Sequence, residues 1–279
     1  CPPSLSQFLP LGHELPGSTS SEESLSWAKD QLRTCIKSHP NCKATSASFF
    51  PARVLDIACD NQGGSGVRLL TPQEDDRLGE TYVCLSHCWG NKPFLRTIST
   101  NLEDHKKGIA WDELPPNFQD AIGFTRRLGL RYIWIDSLCI VQDDKEDWRR
   151  ESARMASIFE HAFLVLSATK AADAYQGIYA DFPEACKTHT IRIPRSMGRT
   201  GTKTWIFQER LLSTRVLHFG PEELAWECLE AFTCQCGSMP GLSDILPAIS
   251  GLAKHFQKAR KSAYVAGLWR DDMPRTLLW

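Results

Sequence analysis

Between residues 82 and 167, three short apolar runs alternate with two helix-length segments, and this alternation constrains the fold more than any other feature. The runs are Tyr82–Ser86, Arg131–Asp136 and Phe163–Ser167. The first helical segment opens at Pro115 and Pro116, where proline fits because first-turn N–H groups lack internal partners. It runs to Leu128, with Phe118, Ile122, Thr125 and Leu128 on one face, and Gly129 ends it. The second starts at Asp144 or Lys145, with Trp148, Met155, Ile158, Phe159 and Ala162 as its buried stripe. Strand–helix–strand–helix–strand in this order predicts a parallel sheet with right-handed crossovers. The expected fold is α/β, a parallel-sheet core with flanking helices.

Additions are expected at both ends. Residues 1–23 are rich in Pro, Ser and Gly and read as an extended lead-in. Ser24–Ser38 has Leu25, Ala28, Leu32 and Ile36 at helical spacing. Arg53–Ile57 and Val67–Leu70 read as an N-terminal hairpin. After the α/β unit, Thr204–Leu212 reads as a helix, Arg215–Phe219 and Leu224–Glu227 as strands, and Leu242–Ser262 as a C-terminal helical addition. The start at Cys1 instead of Met, and the apolar end, suggest a fragment of a longer protein.

Two of the runs end in reactive side chains. YVCLSHCWG (Tyr82–Gly90) passes from an apolar strand into Ser86, His87, Cys88, Trp89 and Gly90. RYIWIDSLCIVQD (Arg131–Asp143) passes into Asp136, Ser137 and Cys139. Open α/β sheets bind ligands beyond the carboxyl ends of their strands, so the paired ends predict a site.

YVCLSHCWG, LPPNFQDAIGFTRRLGLRYIWIDSLCIVQDDKEDW, ESARMASIFEHAFLVLSA and TWIFQERLLSTRVLHFG resemble, in order, the signature blocks of the heterokaryon incompatibility (HET) domain of filamentous fungi. The resemblance covers about Val54–Cys236 and divides the chain into an arm and helix (1–52), a HET domain (53–240) and a C-terminal extension (241–279). It implies a role in self/non-self recognition and programmed cell death. HET domains are themselves thought to be distant relatives of TIR domains, which implies TIR-like, flavodoxin-like layering. TIR domains that cleave NAD use a glutamate four residues after a tryptophan, and TWIFQERLL places Trp205 and Glu209 at that spacing.

The resemblance therefore implies NAD as a substrate, with no prosthetic group, and Glu209 as a catalytic residue; Asp136, at a strand end, is the second catalytic candidate. Cleaving the nicotinamide–ribose bond passes through an oxocarbenium-like state, which a carboxylate stabilises. Alternatively, Glu209 pairs with Arg210, Arg215 or another base and orders a helix. Asp136 either accepts from a ribose diol or caps its own loop. Ser86 and Ser137 are candidates for phosphate or ribose hydroxyls, or for turn bonds. Trp89 either stacks on a base or anchors its loop, and Gly90 would allow close backbone approach. His87 and Trp205 complete the candidate ligand contacts; for His87 a structural role is the favoured alternative, and Trp205 shares the helix face of Glu209. A non-enzymatic signalling module and a biosynthetic enzyme acting on another small molecule are the alternatives.

Net charge is −1, and basic pairs such as Lys106–Lys107 alternate with acids, so neither nucleic acid nor an anionic membrane is an expected partner. No apolar run reaches the ~20 residues of a bilayer span and no secretory signal is visible. NAD or a related nucleotide, a second copy of the chain, or a protein bound through a missing region are the expected partners. The 11 cysteines are odd in number and scattered in a large chain, which predicts reduced thiols and a cytoplasmic location. Cys88 and Cys139 lie near His87 and Asp136, but a reactive thiolate needs a nearby cation or helix N-terminus. Cys35, His39 and Cys42 form one ligand-like trio, and Cys228, Cys234 and Cys236 another. Neither completes the four ligands of structural zinc. A metal would need Cys59 or contact between the trios, so packed thiols and no metal are expected.

Overall fold

A computed structural model of the chain describes residues 17–42, 49–58, 66–72, 80–181, 209–221 and 223–235, and the backbone of 264–265 and 268–269. The expectations for Cys59, Trp205, Cys236 and Leu242–Ser262 fall outside these residues.

The core is one eight-stranded mixed sheet in the order β2-β1-β4-β3-β5-β6-β7-β8. Its strands are β1 (Val54–Asp56), β2 (Arg68–Leu70), β3 (Tyr82–Ser86), β4 (Tyr132–Trp134), β5 (Leu164–Ser167), β6 (Arg215–Phe219), β7 (Leu224–Cys228) and β8 (Phe232–Cys234). The four central strands β4-β3-β5-β6 are parallel. They are buried along their whole length, as expected of strands covered on both faces. The predicted hairpin is present as β1 and β2, but it joins the main sheet, because β1 pairs antiparallel with β4. The other edge is the antiparallel pair β7 and β8. The sheet is therefore mixed, with a parallel centre. A separate ribbon pairs β9 (Tyr264–Val265) with β10 (Leu268–Trp269).

The helices follow from their caps. In α1 (Glu22–Ser38), the N-cap Ser21 hydroxyl accepts from the Ser24 N–H at 3.1 Å, and Glu22 and Glu23 suit the positive end of the helix dipole. Its buried residues include Leu25, Ala28 and Cys35, whereas Ile36 is 45% exposed, so the inward face is rotated from the predicted one. The long loop after β3 contains a short helix, α2 (Leu102–Lys107). Pro116 opens α3 (Pro116–Arg127). Gly129, at φ +79°, closes it: its N–H donates to Arg126 O while Leu130 N–H donates to Thr125 O. Phe124 of α3 meets Phe219 of β6 edge to face at 5.1 Å.

After β4 the chain turns at once into α4 (Asp136–Cys139), so Asp136 opens a helical turn and does not extend the strand. In α5 (Lys145–Glu160), Ile158 and Phe159 are buried as expected, but Trp148 is 44% exposed. Asp147 and Glu151 are buried instead, because Arg53, Arg150 and Arg154 neutralise them. Charged partners, Arg53 from a distant segment and Arg150 and Arg154 from the same helix, set which face turns inward.

Candidate functional site

Chain direction places the site. From β3 the chain crosses to β4 on one side, and then to β5 and β6 on the other. The crevice beyond the carboxyl ends at such a reversal is where open α/β sheets bind ligands. Ser86 ends β3, aligned with Ser167 of β5, and Ser167 is aligned with His218 of β6. The loop after β3, the start of α4 and the segment before β6 converge on this row.

Asp136 is fixed from two directions. Trp89 donates Nε1–H to its Oδ2 at 2.7 Å, and the Ser137 N–H donates to Oδ1 at 2.7 Å. Trp89 also packs edge to face on Phe94 at 5.5 Å. It therefore anchors its loop through both the ring and the N–H. Gly90, at φ +69°, leaves no room for a Cβ, which would overlap Asp173. The close approach it allows is thus to another segment of the chain.

His87 is buried, edge on to Phe118 at 5.0 Å and Phe94 at 6.2 Å. Its Nδ1 stands 3.9 Å from Asp136 Oδ1, and neither ring nitrogen has a hydrogen-bond partner. Burial holds its pKa below the ordinary value, and the Asp136 charge only partly opposes that. The Ser137 hydroxyl is likewise buried without a partner.

Glu209 opens the described part of the segment before β6, and residues 209–212 are helical. Its Oε2 is buried without a hydrogen-bond partner, and among the described residues it makes no ion pair. Burial pushes its pKa up to about 8. The Ser86 hydroxyl, close enough to hydrogen-bond the carboxyl, opposes the shift, and the Asp136 charge adds to it. Glu209 thus lies beside Ser86 and within reach of the Asp136 charge, although 50 residues or more separate each from the next in sequence. Arg210 does not pair with Glu209. It grips Glu227 through two bonds, at 2.6 and 3.0 Å, and Arg215 turns toward the carbonyls of Phe163 and Cys42.

Sequence reasoning missed Ser167, His218 and Glu227. The His218 Nε2 lies 2.8 Å from Glu227 Oε2, and its Nδ1 lies 3.4 Å from the Thr169 hydroxyl. The signal was present: FLVLS and RVLHF end in polar residues just as YVCLS does. Asn117, at the start of α3, is also buried with both side-chain amide atoms unpartnered.

Other candidates fall away from this row. Cys139 is buried and its pKa is pushed up to about 12, which disfavours a thiolate. An open cleft of about 280 Å³ adjoins Trp89 and includes Lys92, Phe94 and Arg96. A larger one, about 370 Å³, lies by the β1–β2 hairpin, lined by Arg68, Glu80, Arg131 and Tyr132. The cysteine trios regroup: Cys228 joins Cys35, His39 and Cys42, whose donor atoms all lie within 4.8 Å of one another.

Among the described residues, no helix is long and apolar enough to cross a membrane. No curated protein and no solved structure matches the chain. The family model described as "Heterokaryon incompatibility protein (HET)" matches residues 82–217, a span that starts with β3 and contains Ser86, Asp136 and Glu209. Residues 82–217 are therefore recognised as a heterokaryon incompatibility (HET) domain.

Proposed function

We propose that this HET domain hydrolyses NAD at the nicotinamide–ribose bond, that self-association activates it, and that it serves self/non-self recognition and cell death. The observation that carries the reading is a buried glutamate with no paired cation among the described residues, beside Ser86 and within reach of the Asp136 charge, at the sheet's reversal point. Burying a carboxyl without a cation to pair it costs stability, and such groups concentrate at functional sites. The TIR-like spacing of Trp205 and Glu209 supplies the substrate class.

In the proposed reaction the C1′–nitrogen bond breaks, and nicotinamide leaves with the bonding electron pair. Water adds to C1′ and loses a proton, giving ADP-ribose, nicotinamide and H⁺. The Glu209 carboxylate accepts from a ribose hydroxyl and stabilises the positive charge that develops on the ring. A pyridinium substrate itself favours the charged form of a carboxyl that is otherwise protonated at neutral pH. Ser86 orients that carboxyl, and Asp136, braced by Trp89 and Ser137, contributes negative potential. The shielding of the Glu209 carboxyl accords with a site that opens on assembly.

The test is nicotinamide release from NAD by the purified chain, dilute and under crowding. Release that increases with concentration and falls at least about 100-fold in Glu209→Gln is expected. No release under any assembly condition, or equal release by the variant, leaves the non-enzymatic module as the reading.

A further inference from the structure

We propose that Cys35, His39, Cys42 and Cys228 form a four-coordinate zinc site that clamps the end of α1 to the end of β7. Three ligands come from one hook in the chain. Cys35 lies in the last turn of α1, His39 is its C-cap, and Cys42 ends the 3-10 turn Pro40–Cys42. The hook is closed by backbone bonds from His39 N–H to Cys35 O at 3.1 Å and from Cys42 N–H to His39 O at 3.2 Å. The fourth ligand, Cys228, ends β7, and its Sγ stands 3.3 Å from His39 Nδ1 across 189 residues of sequence. Each pair of donor atoms lies within 4.8 Å. Tetrahedral zinc, with sulfur at about 2.3 Å and nitrogen at about 2.0 Å, sets its ligand atoms roughly 3.5–3.8 Å apart. A small contraction therefore closes the shell. Thiolate sulfur with imidazole nitrogen is also a donor set that suits zinc.

Packed thiols would explain Cys35 and Cys42, which are fully buried. They do not explain why His39 and Cys228, both partly exposed, converge on the same point. A second observation comes from Arg215. It sits directly across from Cys228 in the β6–β7 register and is 3% exposed. Its guanidinium donates to the Cys42 and Phe163 carbonyls and lies within hydrogen-bonding reach of the Cys35 thiol. Its Nε has no partner, and among the described residues no carboxylate balances its charge. Zn²⁺ held by three thiolates and a neutral imidazole carries one net negative charge, the counterion that Arg215 lacks. Loading is balanced by release of the three thiol protons, so binding strengthens as pH rises. All four ligands lie outside residues 82–217, so the clamp ties the two flanking segments to each other beside the edge of that region, where β7 pairs with β6.

The experiment is metal analysis of the full chain, purified under reducing conditions without chelators. One zinc per chain is expected, released when a mercurial blocks the thiols. Cobalt in its place should give the visible bands of a tetrahedral ion and thiolate-to-metal charge transfer. His39→Cys should keep the metal. His39→Ala and Cys228→Ser should weaken binding beyond the roughly 10–100-fold lost with outer-sphere partners. Should these two variants not fold, wild-type stoichiometry and loss of thermal stability in a strong chelator decide. The proposal is overturned if wild-type chain stays metal-free with its thiols reactive after zinc is added. A disulfide among the three cysteines, or zinc held equally well by both variants, also overturns it.

Discussion

Glu209 neighbours Arg210 in sequence and Glu227 pairs with it in space, and the two carboxyls are treated oppositely. Glu227 receives two bonds from Arg210 and one contact from His218. Burial alone would raise its pKa, but those hydrogen bonds outweigh burial and hold it below the ordinary value. Glu209 adjoins the same arginine in sequence, yet receives none of that charge, and burial pushes it up to about 8. A carboxylate that serves packing is supplied with cations, as Asp147 and Glu151 also are. One left without them weakens the fold around it, and under the proposed function the compensation is its action on a cationic substrate.

The largest expected effect follows from that difference. Glu209→Gln should abolish nicotinamide release and yet make the fold more stable in alkali. The folded-state pKa of Glu209, about 8, is raised above the 4.5 of an unperturbed glutamate. Its contribution is therefore fully present below pH 4.5 and is lost as pH rises through 8. Urea unfolding should show the variant gaining roughly 2–4 kcal/mol over wild type near pH 9 and little near pH 4. In wild type, kcat/KM for NAD should rise tenfold per pH unit below 8 and then level off, because the free enzyme's carboxyl must be ionised. A flat stability difference would mean that Glu209 is not the buried, uncompensated group described.

Arg210→Met probes the other carboxylate. It strands Glu227 beside His218 and should cost about 3 kcal/mol, read from the urea midpoint at pH 7. Because the Glu227 pKa is lowered in the fold, the stability it supplies is present above the unfolded glutamate pKa and lost as pH falls through the folded one. The wild-type advantage over Arg210→Met should thus shrink in acid, opposite to the Glu209 trend. Nicotinamide release per folded molecule should fall far less than in Glu209→Gln. A comparable loss would place the Arg210–Glu227 pair inside the chemistry.

The same contrast shows what was legible in the sequence. Apolar runs with polar ends located Ser86 and Asp136, because strand direction alone sends such ends to one side of a parallel sheet. The alternation also located β3, α3, β4, α5 and β5. It did not reveal that β1 would pair with β4, since edge pairing depends on contacts across 70 residues or more. It did not reveal that Trp148 stays out while Asp147 and Glu151 go in, because Arg53 comes from far away in the chain. The cysteine trios were legible as ligand types but not as a set, since Cys228 reaches Cys35 and Cys42 only once β7 is in place.

The smallest effect sharpens the comparison most, because it tests whether Asp136 adds to the burial of Glu209. Asp136 accepts from both Trp89 Nε1–H and Ser137 N–H. In Asp136→Asn one of these donors must face the new amide nitrogen. The loss should be about 1–2 kcal/mol of stability, above the ~0.5 kcal/mol expected of a carboxylate outside any structural network. The variant also removes the negative charge that helps raise the Glu209 pKa. The rising limb of the NAD pH profile should therefore move to lower pH, while activity on the plateau falls tenfold or so, about 1.4 kcal/mol. Melting temperature and pH profile measured on the same preparation separate the two roles. If stability falls but the limb does not move, Asp136 only braces the β3 loop, and burial alone sets the Glu209 proton.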